Sequence, residues 1–293
     1  MINDAHCHFF STPFFAPLGG DAALAKLGWE APGTAEALAD RWVSELDRRQ
    51  VARAALIASV PGDAASVAAA VSRHRQRFVG FFMVDPTQPD AASIASEAIV
   101  RGGLRAICLF PAMHRYSIQD DRAKRIFDVA AATPGTAVFV HCGVLSVGVR
   151  KKLGLPSPFD IRFGNPLDLH AIALRYPQVP IVIPHFGAGL LREALMVGDL
   201  CPNILLDTSS SNGWIKYEGT SLATVFRQAL GVVGPDRLLF GTDSSFFPRG
   251  WVRDVYDQQS SALAEIGASA EVQAKIFGGN FDRVFPHADG TRA

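Results

Sequence analysis

The chain has no excess of either charge. Its 28 basic and 28 acidic residues balance, which leaves no basic stripe for a nucleic acid or an anionic membrane to bind. Short clusters such as Arg48-Arg49 and Arg150-Lys151-Lys152 read as solvated faces. No apolar run is long enough to span a bilayer. The four cysteines, Cys7, Cys108, Cys142 and Cys201, contain no CxxC pair. Buried free thiols in a reduced, cytoplasmic protein are the simplest reading. No glycine-rich phosphate fingerprint follows any early strand, which weakens a dinucleotide-binding fold. There is no internal repeat, low-complexity tract or linker, so one domain over residues 1–293 is expected. A strand with site character is expected to begin almost at Met1, and on that reading no removable leader is expected.

What is present is a globular composition: 293 residues, 48% hydrophobic and 19% charged. Short apolar runs alternate with helical patterns. Strand-like segments are expected near residues 54–58, 78–84, 104–110, 137–141, 180–185, 203–207 and 237–243. Helical spacing fills the gaps, as with Leu38, Trp42, Val43 and Leu46. With the first eight residues, this makes eight strands. Near-continuous apolar strands joined by helices mean a parallel sheet covered by helices. At this length eight units fit a (β/α)8 TIM barrel, with short helices closing the C-terminus. Two long connections, from Phe9 to about Ala35 and from Gly143 to Asn165, follow strands. They therefore belong on the C-terminal face, where barrel enzymes place their sites.

The chemistry begins at Asp4-Ala5-His6-Cys7-His8. In a regular strand Asp4, His6 and His8 share one face, and Asn3, Ala5 and Cys7 the other. Two imidazoles so placed can offer neutral ring nitrogens to one ion. Later strand ends supply partners: His141 after strand five, His185 after strand six and Asp243 after strand eight. In a barrel these ends surround one axis. Cys7 and Cys142 adjoin ligand candidates, but alternation turns both away. Pro111 and the run Asp207-Thr208-Ser209-Ser210-Ser211-Asn212 add a polar rim after strands four and seven.

This ordered set resembles the amidohydrolase superfamily, and more closely its branch containing aminocarboxymuconate-semialdehyde decarboxylase and related metal-dependent hydrolases. The pieces that carry the resemblance are Asp4-Ala-His6-Cys-His8, Val140-His141-Cys-Gly143, Pro184-His185-Phe-Gly187, Gly241-Thr-Asp243 and Phe277-Gly-Gly-Asn280-Phe-Asp-Arg283-Val-Phe285. The resemblance covers nearly the whole chain. It implies that His6, His8, His141 and Asp243 bind one divalent metal, usually zinc, with manganese as the alternative. It also implies that His185 is the acid/base, working with Asp243 on a metal-activated water. Binuclear relatives often use a carboxylated lysine on strand four; residues 104–110 contain no lysine, which favours a single ion. Asp4, one layer deeper than His6, is expected to support a ligand rather than to ligate.

Substrate contacts are expected from Arg192, seven residues past His185, as a carboxylate anchor, and from Tyr116 and Trp214. His114 and Arg115 also follow strand four. The aromatic cluster Phe9, Phe10, Phe14 and Phe15 suits either a substrate wall, packing or an oligomer contact, so a homodimer stays open. His74, His170 and His287 fall on helices or the tail and are read as non-functional. Two reactions remain in play for a small-molecule substrate. One is hydrolysis of a C–O or C–N bond, as in a lactone or cyclic carboxylate; the other is non-oxidative decarboxylation of an unsaturated or aromatic acid.

Overall fold

The computed structural model describes residues 1–287, apart from the side chains of Ser211 and Asn212. Eight parallel strands follow in chain order: β1 (Asn3–Phe9), β2 (Arg53–Ala58), β3 (Phe78–Val84), β4 (Ala106–Leu109), β5 (Ala137–Val140), β6 (Ile181–Ile183), β7 (Ile204–Asp207) and β8 (Leu238–Leu239). Each pairs with its neighbour in sequence, from β1 through β8. The ring closes between β8 and β1 through separate bonds rather than a regular ladder. Ala5 N–H donates to Phe240 O at 2.7 Å, Asp243 N–H to His6 O at 2.9 Å and His8 N–H to Ser244 O at 2.7 Å. The result is the expected TIM barrel.

Strand residues divide by alternation between two apolar layers. Ala55, Ile57, Val79, Phe81, Met83, Ala106, Cys108, Phe110, Phe139 and Leu239 fill the barrel, and Phe281 and Phe285 of the C-terminal segment join them. Leu56, Phe82, Ile107, Leu109, Val138 and Ile183 face outward onto helices. The helix Ala35–Arg49 shows how these covers are built. Thr34 caps it by accepting from Ala37 N–H, and Leu38, Trp42 and Leu46 form its buried stripe. Burying each such large side chain contributes roughly 1.5–3 kcal/mol. No helix among the described residues is long and apolar enough to cross a membrane.

Regular structure stops early where the site begins. Residues 180–185 were expected as one strand, but β6 ends at Ile183. His185, Phe186, Gly187, Ala188 and Gly189 all have positive φ, from 46° to 94°. Likewise β8 covers only Leu238 and Leu239 of the expected 237–243. The two long connections are not structureless. The first carries helical turns at Thr12–Phe15 and Gly20–Leu27, and the second the helix Gly148–Leu153. These pack together in a third apolar cluster that includes Phe14, Phe15, Leu24, Val149 and Leu153. Lys26 Nζ also donates to Leu153 O at 2.9 Å. Together they form a roof over the C-terminal mouth.

Candidate metal centre and active site

The site starts from an irregularity in β1. Asp4 pairs with Ala54 but Cys7 with Leu56, so β1 carries one extra residue between them. That bulge breaks the expected row. Ala5 faces the barrel interior, and Cys7 the outer layer. Asp4 turns toward the outer layer as well. Its carboxylate accepts from His6 N–H at 2.8 Å, Thr242 N–H at 3.1 Å, Thr242 Oγ1 at 2.6 Å and Trp251 Nε1 at 2.7 Å. Burial pushes its carboxyl up to about 6 against the opposing hydrogen bonds. Asp4 thus supports His6 through its backbone N–H and fixes the β1–β8 seam, as a residue that does not ligate, while the carboxylate on the His6 ring is a different one.

The carboxylate behind His6 is Asp207, at the end of β7. His6 Nδ1 lies 2.6 Å from Asp207 Oδ2. A carboxylate only accepts, so Nδ1 carries the proton and Nε2 presents a lone pair. Burial opposes charge on His6, but Asp207, with Asp243 and Asp4 behind it, outweighs burial and raises the imidazole pKa. Asp207 Oδ1 also accepts Ser209 N–H at 2.6 Å. Close packing requires Gly241 here: a Cβ on it would lie 2.8 Å from Asp207 Oδ1 and from the Cβ of His6.

His8 is oriented in the same sense. Ser59 Oγ donates to Ile57 O at 2.9 Å and accepts from His8 Nδ1 at 2.7 Å. The two Nε2 atoms then face one another at 3.3 Å. Asp243 Oδ1 stands 3.1 Å from the nitrogen of His8 and 3.7 Å from that of His6. Asp243 reaches this position with φ at 57°, its backbone tied to His6 O. Although burial works the other way, the His8 contact holds its carboxyl below the usual range. Among the described residues, these three form a group whose ligand atoms lie within 4.8 Å of one another.

His185 sits beside them. Its Nδ1 donates to Ser209 O at 2.9 Å, which leaves Nε2 as a base. Ser209 Oγ lies 2.9 Å from Nδ1 of both His6 and His185, and so ties the two rings together. Burial, then the neighbouring His6, lowers the His185 pKa. His141 lines the same pocket, stacked on Phe110 with centroids 5.4 Å apart and 5.3 Å from His185. It is not part of the close triple. Its buried Nδ1 has no hydrogen-bond partner among the described residues, and burial drives its pKa well down. Gly143, two residues on, packs against backbone: a Cβ would meet Gly187 O at 2.1 Å.

Residues 4–286 match the family model described as Amidohydrolase. The chain belongs to the amidohydrolase family. Amidohydrolases of this branch include both hydrolases and decarboxylases, and this one is a metal-dependent enzyme of that kind. The crystal structure of 5-carboxyvanillate decarboxylase LigW from Sphingomonas paucimobilis superimposes with a TM-score of 0.64 at 16% identity, over 98% of this chain and 99% of that one. A probable 2-pyrone-4,6-dicarboxylic acid hydrolase from Acinetobacter baumannii gives 0.65 at 15%, over 97% and 98%. Likeness at those identities establishes the fold. Protein fluG of Emericella nidulans is 31% identical over 84 residues, 29% of this amidohydrolase and only 10% of that protein.

The expected substrate contacts lie elsewhere. Arg192 projects to solvent with its side chain 84% exposed, paired with Glu193. It is the second residue of the helix Leu191–Leu200 and does not line the pocket. Tyr116 is buried outside the pocket in the outer layer. Trp214 is buried there too, edge-on to Phe186. The pocket, of about 260 Å³, is walled instead by Phe10, Phe14, Trp29, Met83, Phe110 and Phe246, among others. Phe9 faces the outer layer and Phe15 the roof. Its two cations are Lys152, from the second long connection, and Arg249, six residues past Asp243. Sequence reasoning passed over both, and over Asp207 as a ligand support. The available signal was position: each follows a strand and so belongs to the C-terminal face.

Proposed function

We propose that this amidohydrolase is a hydrolase using one divalent ion, zinc in the first instance, to open a C–O or C–N bond in a small cyclic molecule. The observation that carries the proposal is the convergence of the His6 and His8 lone pairs and the Asp243 carboxylate on one point. Two nitrogens bound to a tetrahedral zinc at about 2.0–2.1 Å stand roughly 3.3 Å apart, and the two Nε2 atoms are separated by 3.3 Å. The donor set therefore fits the ion. β4 and the residue after it offer no carboxylate or lysine to the interior, only Ala106, Cys108 and Phe110, which supports a single ion. His141 is assigned as a further ligand on its lining position and its unpartnered nitrogen.

When bound, the ion would act as a Lewis acid and lower the pKa of a water to about 7. The chain's own groups do the rest. His185 Nε2 takes the proton released on attack and returns it to the leaving oxygen or nitrogen. Its Nδ1–H stays pinned to Ser209 O, so the ring neither turns nor changes tautomer between the two transfers. Asp243 orients the attacking water with its second oxygen. The aromatic wall excludes bulk water and selects a flat, apolar body.

Decarboxylation is the second reading, and Arg249 favours it. Its guanidinium is steadied by Ser245 Oγ at 2.8 Å and by Asp243 O at 3.3 Å, where it can hold a carboxylate near the triple. Metal-loaded enzyme incubated in ¹⁸O-water with lactones and hydroxybenzoates separates the two. Product acid carrying one ¹⁸O supports hydrolysis. Carbon dioxide without ¹⁸O at a carbonyl overturns it in favour of decarboxylation. A folded protein that takes up no metal ends both.

A further inference from the structure

The pocket's two cations come from different parts of the molecule. Lys152 stands on the roof helix Gly148–Leu153, whose apolar contacts are to the first long connection rather than to the barrel interior. Arg249 stands on the barrel's own rim, in the loop past β8. They meet at one aromatic stack. Trp29, from the first connection, lies on Phe246 with centroids 3.7 Å apart. Lys152 Nζ is 5.2 Å from the centroid of each ring, so it sits beside the stack. Arg249 Cζ is 4.7 Å from the Phe246 centroid. Among the described residues, no carboxylate lies within ion-pair distance of either cation; Asp243 acts on Arg249 only from further off. Two like charges against one phenyl ring are complementary to an anion that the chain does not place between them.

We propose that Lys152 and Arg249 form an anion site at the pocket mouth, and that an anionic group on a flat ring bound there fastens the roof to the barrel rim. This rests on reading the pocket as the substrate site. It adds that the substrate carries an anionic group within reach of both the rim and the roof, and that this charge controls closure. The ring of such a ligand lies along the Phe10–Trp29–Phe246 wall while its anionic group reaches both cations. A neutral analogue of the same shape fills the pocket but leaves the roof free. Roof closure then depends on charge, and Lys152 is a specificity residue that never touches the reacting bond.

The test uses metal-loaded protein and two probes: benzenesulfonate, an anion that ligates metals weakly, and methyl phenyl sulfone, its neutral counterpart. Binding is followed by the fluorescence of Trp29, the tryptophan that lines the pocket. Closure is followed by amide exchange over residues 20–27 and 148–153. Benzenesulfonate is expected to bind at least about fivefold more tightly than the sulfone, with an advantage that shrinks in high salt. It is also expected to slow exchange in both roof segments. Lys152→Met removes the advantage and the slowing, and Lys152→Arg keeps both. Equal protection by the two probes, or unchanged benzenesulfonate affinity in Lys152→Met, overturns the proposal. Either result leaves the hydrolase reading intact, because no step of the assay requires turnover.

Discussion

Asp207→Asn puts the metal centre to its sharpest test. The wild-type carboxylate is fully buried and serves two donors, His6 Nδ1 and Ser209 N–H, both at 2.6 Å. An amide keeps one oxygen for those two donors and turns an N–H against the other. Losing a hydrogen bond to a charged group costs about 1.5–3 kcal/mol. Removing the carboxylate behind a ligating histidine lowers metal affinity about 10–100-fold, equivalent to roughly 1.4–2.8 kcal/mol. The two routes agree, so a loss of that size is expected. Competition with a chromogenic chelator at fixed pH measures the affinity, and circular dichroism of the metal-free variant checks that it folds. Zinc affinity within about threefold of wild type, in a folded variant, would show that His6 is not a ligand or does not depend on Asp207.

Gly241→Ala presses a methyl into Asp207 and His6, and is expected to cost about 1–3 kcal/mol through overpacking, seen as a lower Tm. An unchanged Tm would mean the β8 end is more yielding than the contacts imply. His185→Asn is expected to leave metal content near normal and lower kcat by about 10²–10⁴; metal loss instead would make His185 a ligand. Metal-free stability follows the buried imidazoles. Burial lowers the pKa of His8, His141 and His185 from 6.5, so the unfolded chain takes up protons first as pH falls. Their contribution is complete above about pH 6.5 and drops below it, by up to ~1.4 kcal/mol per pH unit for each. His6, whose pKa is raised, works in the opposite sense and offsets one of the three, and Asp4, raised to about 6, offsets part of another below that pH. Urea titrations of chelator-treated protein at pH 7.5 and 5.5 should therefore show lower stability at 5.5; equal or higher stability at 5.5 contradicts neutral buried rings.

The fold was legible because strands buried on both faces announce themselves. Phe78–Val84 and the helix Ala91–Val100 begin and end where their patterns do. The histidines and Asp243 were legible because ligand residue types are rare at apolar strand ends. What escaped depends on departures from regularity. Period-two reasoning has no term for the β1 bulge, so it put Asp4 beside His6 and left Asp207 in a polar rim. The left-handed run from His185 to Gly189 redirects the chain before Arg192, and nearness in sequence to His185 therefore said nothing about nearness to the pocket. Lys152 lay inside a basic run that looks like any solvated face. Only the packing of Gly148–Leu153 against the first connection turns it to the mouth.

The barrel's least regular join is between its first and last strands, where β8 and β1 share single bonds and one isolated bridge, Cys7 to Ser244. His6 and His8 stand on one side of that join and Asp243 on the other. An ion gripped by all three is a rivet through the cylinder's seam, joining positions 6 and 243 of the chain. If these three hold the proposed ion, starving the protein of metal would loosen its hoop as well as idle its chemistry.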